Sequence, residues 1–227
     1  MKKRIAIIPA RANSKRLKSK NIKLFYGKPL IHYSLKAAKE CNLFDKIHVS
    51  TESKNVKKIV QEMGFKVDFL RDKKLSKDKT SVEKVIKFVI DEYLKRGEIF
   101  DEIFLIFATN PFVSADNLKK AYKKYCLYKK KFSIMPVVKF NKPLEWALIK
   151  NNKKKVLKPK FPKGIKKTSK DFNELYYEAG MFIIYQKNYL YKKINLSYKA
   201  FELKYHRTVD IDNLQDFKIA QSLYKLK

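Results

Sequence analysis

The sequence predicts an α/β domain in which a mainly parallel sheet is covered by helices on both faces. Three observations carry that expectation. Ile5–Ile8 and the run EIFLIF at 102–107 are near-continuously apolar, as strands buried on both faces are. Strand-like and helix-like stretches alternate from Lys3 to Val138 in the order that βαβ units produce. Gly64 and Gly97 fall just past helical patterns, where a left-handed C′ residue is favoured.

The elements follow in order. Residues 3–9 form the first strand and feed a loop carrying Arg11, Lys15, Arg16, Lys18 and Lys20, with no acidic residue before Glu40. Gly27-Lys28-Pro29 marks a turn, and Pro29 suits the first position of a helix running to about Cys41, with Ile31, Leu35 and Ala38 on one face. Residues 46–50 (KIHVS) read as a second strand, 53–63 as a helix ended by Gly64, and 66–70 as a third strand. Thr80-Ser81-Val82-Glu83 has capping-box spacing, and Val82, Val85, Ile86, Val89, Ile90 and Tyr93 then recur at three- and four-residue intervals. After the strand at 102–107, Ser114 caps a helix to about Lys130, and 132–138 is a further strand. Around 141–173 the regularity fails. Pro143, Pro159, Pro162 and Gly164 surround a hairpin at 146–157 turning at Asn151-Asn152, which reads as an insertion projecting from the sheet. Regular structure resumes at 179–185, with a strand near 205–209 and a closing helix at 214–226.

The chain has 227 residues, 45% of them hydrophobic, with seven Pro, five Gly and no low-complexity linker, so one domain spanning 1–227 is expected. Cys41 and Cys126 are too few for a disulfide framework, which fits a reducing compartment. The apolar stretch before Arg11 is too short for a secretory core, and no run approaches the ~20 residues of a membrane span. A cytoplasmic protein without membrane association is expected. The net charge of +32 invites a different class of reading, a basic nucleic-acid-binding protein. Lysines are spread over every expected helix and loop, and lysine outnumbers arginine, the usual reader of base edges, so an ordinary lysine-rich surface is the better reading.

Neither GxxxxGK[ST] nor GxGxxG occurs, which removes two familiar phosphate grips. What remains after the first strand is a loop of side-chain cations, Arg11, Lys15, Arg16 and Lys20, with Asn21 beside them. Such a loop can neutralise a triphosphate, or can simply be a solvated basic surface. Asp210-Ile211-Asp212 places two carboxylates two residues apart, able to meet one hard cation such as Mg²⁺; alternatively Asp212 or Asn213 only caps the last helix. Thr109-Asn110-Pro111 lies at a carboxyl strand end, where small polar groups can bond a base or sugar or merely form a turn. Arg71 and Asp78 flank a polar loop. His32 and both cysteines read as structural, and His206, beside Arg207 and near the acidic pair, is assigned no proton-transfer role.

With those residues assembled, the sequence resembles the acylneuraminate (nonulosonic acid) cytidylyltransferase family. IIPARANSKRLKSKN at 7–21 looks like its IPARxxSKRxxxKN signature, followed in family order by KIHVSTES at 46–53, FLR at 69–71 and VDIDNLQDF at 209–217. FATNP at 107–111 and Tyr176-Tyr177-Glu178-Ala179-Gly180-Met181 resemble the pseudaminic acid branch, with YATAPF and YxDAGQ, rather than the QPTSP and YRxNGA of the sialic acid branch. Glu178 and Met181 depart from that pattern. The resemblance implies a Rossmann-like nucleotidyltransferase three-layer sandwich that moves CMP from CTP to the anomeric hydroxyl of a nine-carbon 2-keto acid sugar. Pseudaminic acid is the expected sugar, with N-acetylneuraminate or legionaminate as alternatives. It implies Arg11, Lys20, Asp210 and Asp212 as catalytic residues and Asp210 with Asp212 as the Mg²⁺ ligands. The implied nucleotide site is Arg11, Asn13, Ser14, Lys15, Lys20, Asn21, Arg71, Asp78, Thr109 and Asn110, and the implied sugar site is Tyr177, Glu178 and Gly180. A homodimer paired through the insertion at about 141–173 is also implied.

Overall fold

The structure is a computed structural model describing residues 2–153, 155–185, 190 and 197–226. Its main sheet is built from β1 (Arg4–Pro9), β4 (Lys46–Ser50), β5 (Glu102–Ile106), β6 (Ser133–Lys139), β9 (Tyr176–Glu178), β10 (Phe182–Tyr185) and β11 (Tyr198–Glu202). The order across it is β11-β6-β10-β5-β1-β4, with β9 also paired to β6. β1 lies parallel to both β4 and β5, and β11 parallel to β6, while β10 enters antiparallel between β5 and β6.

Alternation along β1 explains the layering. Ala6 and Ile8 face a core shared with α1 (Ile31–Glu40), α2 (Lys54–Glu62), α4 (Ala115–Leu127) and α5 (Leu214–Tyr224), through residues such as Leu35, Val56, Leu118 and Phe217. Ile5 and Ile7 face the opposite core, against Ile86, Val89, Ile90 and Tyr93 of α3 (Val82–Lys95). A sheet with helices on both faces is the arrangement that continuous apolar strands require. The chain leaves β1 through α1 to β4 on one side, then crosses by α3 to β5 on the other. That reversal makes a crevice at the carboxyl ends of β1 and β5.

Several expectations change. Residues 66–70 form no strand: they join no ladder and bend at Phe69, with Val67 buried and Phe69 stacked on His48 at 4.5 Å. Pro29 opens no helix but sits in a two-residue ladder of β2 (Leu24–Phe25) with β3 (Lys28–Pro29). The expected capping box before α3 is not made, since Ser81 is the N-cap and its side chain makes no cap bond. Residues 205–207 form a 3₁₀ turn closed by Thr208, whose hydroxyl donates to the Tyr205 carbonyl at 2.9 Å, and the strand lies earlier, at β11.

The hairpin expected at 146–157 exists as β7 (Leu148–Asn151) paired antiparallel with β8 (Val156–Pro159), a separate two-stranded sheet whose Lys154 lies outside the described residues. Among the described residues no helix is long and apolar enough to cross a membrane.

Candidate active site

Because β1 and β5 end side by side, the segments that follow them converge on one cleft of about 570 Å³. Its walls include Arg11, Ser14, Lys15, Arg16, Lys20 and Asn21 from the loop after β1, Thr109 after β5, and Asp210 and Asp212 before α5. The opposite wall is Arg71, Leu75, Lys77, Asp78 and Thr80, with Val82 and Val85 of α3.

The basic loop is held by carboxylates from two directions. Arg11 Nη1 and Lys15 Nζ donate to the two oxygens of Asp78 at 2.6 and 2.7 Å. Lys20 Nζ and Arg16 Nη2 donate to the two oxygens of Asp212 at 2.9 and 2.8 Å. Lys20 is the most enclosed of these four cations, its side chain 12% exposed. Asn21 is buried and donates its amide to the Arg11 carbonyl at 2.9 Å, which fixes the turn on which Arg11 is presented. Even so, Arg11, Lys15, Arg16, Lys20, Arg71 and Lys77 outnumber Asp78, Asp210 and Asp212 around the cleft. The enclosure therefore favours an anion.

Asp210 and Asp212 both face the cleft although no strand forms there, because Ile211 between them is fully buried and donates its N–H to the Thr109 carbonyl at 3.1 Å. The helix that follows is capped by Asn213, whose side chain accepts from Gln215 and Asp216 N–H, while Asp216 accepts from Asp212 and Asn213 N–H. Asp212 is thus free of the capping role and points its carboxylate at the basic loop.

The two aspartates differ electrostatically. Burial pushes the Asp210 carboxyl up, against the Thr109 hydroxyl that donates to it at 2.6 Å and the Lys20 ammonium, and Asp212 and Asp216 add to the rise. Burial would raise Asp212 as well, but Lys20 and Arg16 outweigh it and hold that carboxyl below the ordinary range.

Asp210 also joins the cleft to the segment after β9. Gly180 has φ +60°, and a Cβ there would stand 2.7–2.8 Å from Asp210 Cβ, Cγ and Oδ2. The absence of a side chain at 180 is what lets Asp210 occupy its place. Glu178 stands at the surface on β9, yet the protein around its carboxyl, together with Asp210 and Glu83, moves its pKa up. Tyr177 is half-buried with its ring 4.9 Å from Phe140. Asn110 lies beneath the site: it is fully buried and its amide donates to the Ala179 and Gly180 carbonyls at 3.2 and 3.3 Å. Asn13 is exposed and does not line the cleft.

Two groups of residues stand at the cleft that the sequence does not mark as site residues. Leu75, Lys77, Thr80, Val82 and Val85 line the wall opposite the basic loop. Glu52, just after β4, accepts from the Ala12 N–H at 2.8 Å and from Arg71 and Ser76 at 2.9 Å. Its only signal in sequence is its place after a strand end, in the stretch KIHVSTES.

Comparison with known proteins identifies this architecture. The family described as cytidylyltransferase matches residues 5–227. Pseudaminic acid cytidylyltransferase of Campylobacter jejuni is 32% identical, over 99% of this chain and 97% of that protein. N-acylneuraminate cytidylyltransferase of Escherichia coli is 29% identical over 98% of this chain but 52% of that protein, so this chain spans about half its length. Among solved structures, a CMP:2-keto-3-deoxy-manno-octonic acid synthetase complexed with CTP superposes with a TM-score of 0.71 at 16% identity, covering 99% of each chain; at that identity the likeness is one of fold. The resemblance carried by the motifs from Ile7 to Phe217 is borne out: this chain belongs to the cytidylyltransferase family.

Proposed function

We propose that this chain transfers CMP from CTP to the anomeric hydroxyl of pseudaminic acid, a nine-carbon 2-keto acid sugar, with release of pyrophosphate. The carrying observation is full-length similarity to a pseudaminic acid cytidylyltransferase in a chain whose cationic loop and Asp210/Asp212 pair face one cleft. The anomeric hydroxyl releases its proton to solvent as its oxygen attacks the α-phosphorus; a new P–O bond forms, the α–β bridging bond breaks, and its electrons leave on pyrophosphate. Such chemistry needs positioning and charge neutralisation rather than a covalent enzyme intermediate.

Arg11 and Lys20 offset the charge of the triphosphate and of the departing pyrophosphate, with Lys15 and Ser14 beside them. Asn21 holds the Arg11 turn, and Arg71, Asp78, Thr109 and Asn110 complete or support the nucleotide side. Tyr177, Glu178 and Gly180 form the sugar side; they stand outside the lining of the cleft, with Gly180 against Asp210 and Glu178 within reach of its charge.

The donor set suits Mg²⁺. Among the described residues no group of three or more His, Cys, Asp or Glu is placed to hold a metal, and the protein offers two hard carboxylates, which is what a magnesium ion shared with phosphates and water takes. Asp210 is half-buried, and burial, with Asp212 and Asp216, raises its pKa more than Thr109 and Lys20 lower it, so a cation beside it would be favoured. Asp210 and Asp212 would hold the ion, which when bound supplies charge neutralisation at the phosphates and a lowered pKa for the attacking hydroxyl.

The insertion at about 141–173 pairs two copies into a homodimer in the cytoplasm. In support, Leu148, Ile149, Val156 and Leu157 on β7 and β8 are exposed, more apolar surface than a free hairpin needs. The functional reading is tested by offering pseudaminic, N-acetylneuraminic and legionaminic acids with CTP and Mg²⁺ and following pyrophosphate. The expected result is release fastest with pseudaminic acid. Faster turnover of another sugar reassigns the acceptor. No release with any sugar, together with salt-sensitive oligonucleotide binding, moves the protein to the nucleic-acid class.

A further inference from the structure

The two walls of the cleft come from distant parts of the chain; Asp78 pairs across them at the exposed rim, and Glu52 reaches both from the enclosed side. Glu52 Oε1 accepts from the backbone N–H of Ala12, in the loop that presents Arg11. Its Oε2 accepts from Arg71 Nη2 and from the Ser76 hydroxyl, on the opposite wall, each at 2.9 Å. Arg71 Nε donates to the same hydroxyl at 3.1 Å, and the Arg71 N–H donates to the Thr51 carbonyl at 2.8 Å. The Glu52 and Arg71 side chains are 11% and 3% exposed.

Other roles for Glu52 are poorly served by this geometry. Both oxygens are engaged by donors, and the carboxylate does not line the cleft, so it is not placed to touch a nucleotide. Burial would raise its pKa, but the Ala12 N–H, its own backbone N–H, Arg71 and Ser76 outweigh that and lower it, which makes it a weak proton acceptor. Fold stability does not require an ion pair here either, since a buried pair is often replaceable by apolar groups. What the arrangement does accomplish is to fix Arg71 and the Arg11 loop relative to each other.

We propose that Glu52 is a positioning residue for CTP: bridging the Ala12 N–H on one wall to Arg71 and Ser76 on the other, it sets the width of the nucleotide cleft without contacting the nucleotide. This rests on the functional reading above. Arg71 is aimed into the cleft only while Glu52 and Ser76 hold the Nε/Nη2 edge of its guanidinium, because an arginine's planar fork is oriented by the partners on its edges. Preorganised donors of this kind lower the cost of binding, and their loss appears in nucleotide affinity first.

The substitution Glu52→Gln separates the two contacts. A glutamine oxygen facing Ala12 still accepts that N–H, but its NH₂ then faces the Arg71 Nη2 donor, while the Ser76 hydroxyl can turn to accept from it. The expected result is a Kd for CTP by calorimetry, and a KM for CTP, raised about tenfold, with the KM for the sugar within about twofold. Arg71→Ala should weaken CTP similarly, and Glu52→Gln added to Arg71→Ala should cost little more, because residues that act through one another are non-additive. A purely structural role would lower Tm in Glu52→Gln, with full additivity in CTP affinity.

Wild-type CTP affinity in a folded Glu52→Gln protein, or additive effects in the double variant, overturns the proposal. If Glu52→Gln does not fold, Ser76→Ala removes one of Arg71's two holders and leaves the ion pair. A raised Kd for CTP there supports the proposal and an unchanged one overturns it. Failure of the functional reading looks different: neither the wild-type protein nor Arg11→Ala would show any CTP binding to compare.

Discussion

Gly180→Ala puts the tightest contact of the candidate site to the test. Two effects add. Residue 180 has φ +60°, and a side chain in that region costs roughly 1–2 kcal/mol. The new Cβ would also stand 2.7 Å from Asp210 Cβ and 2.8 Å from its Cγ and Oδ2. The close contact begins at Asp210 Cβ, so rotating the end of the carboxylate does not relieve it, and overpacking of this kind costs about 1–3 kcal/mol. Together these give a loss of about 2–5 kcal/mol. For a domain of this size that is a fall in Tm of about 4–20 °C. The backbone near Asp210 must shift to accommodate the methyl, which should reduce turnover even below the melting range. Thermal unfolding followed by circular dichroism, with pyrophosphate release at 25 °C, reads both effects. A variant melting within about 1 °C of wild type and turning over normally would refute the close approach of Gly180 and Asp210 on which the linkage of nucleotide and sugar sides depends.

Further outcomes follow from the same electrostatics. Asp210→Asn should abolish turnover yet raise Tm at neutral pH in metal-free buffer. A raised folded pKa means the ionised carboxylate costs stability above that value, and the cost disappears below the ordinary value of 3.8, so the variant's advantage should fade in acid; a variant less stable than wild type at pH 7 would contradict this. Arg11→Ala should weaken CTP by about 1.5–3 kcal/mol, the worth of a charged hydrogen bond, or roughly 10–150-fold by calorimetry. Unchanged affinity would mean that the loop is only a solvated surface. Away from the site, Lys130 pairs with Glu102, which is 2% exposed. Lys130→Met should cost about 3–5 kcal/mol, lowering Tm by about 6–20 °C, and adding Glu102→Leu should recover much of it.

Much of the scaffold was legible because it repeats a period. The two-sided burial of Ile5–Ile8 and of β5 announced central strands, and the spacing of Val85, Ile86, Val89, Ile90 and Tyr93 announced α3. Edge elements were less readable. Among the described residues β11 pairs only with β6; it is mostly half-buried and reads Tyr-Lys-Ala-Phe-Glu, so it lacks the apolar run that marks a central strand. Residues 205–209 carry β-favouring types, but a local hydroxyl-to-carbonyl bond from Thr208 turns them into a 3₁₀ segment.

The site divides along the same line. The cationic loop and the Asp210/Asp212 pair stand out as local composition, and the glycine shortage excluded the commoner phosphate grips. Which carboxylate pairs with which cation depends on tertiary approach: Asp212 meets Lys20 across 192 residues, and Asp78 meets Arg11 across 67. Glu52 has no local pattern, since its partners lie 40, 19 and 24 residues away. Only the fold shows that it spans the cleft.

The central claim is cytidylyl transfer, and product stoichiometry tests it most directly. Wild-type protein with CTP, Mg²⁺ and pseudaminic acid, followed by ³¹P NMR and mass spectrometry, should yield one CMP-sugar for each pyrophosphate, with no products when the sugar is omitted. Pyrophosphate formed without a CMP-sugar, or CTP left intact with every nine-carbon sugar offered, would contradict it.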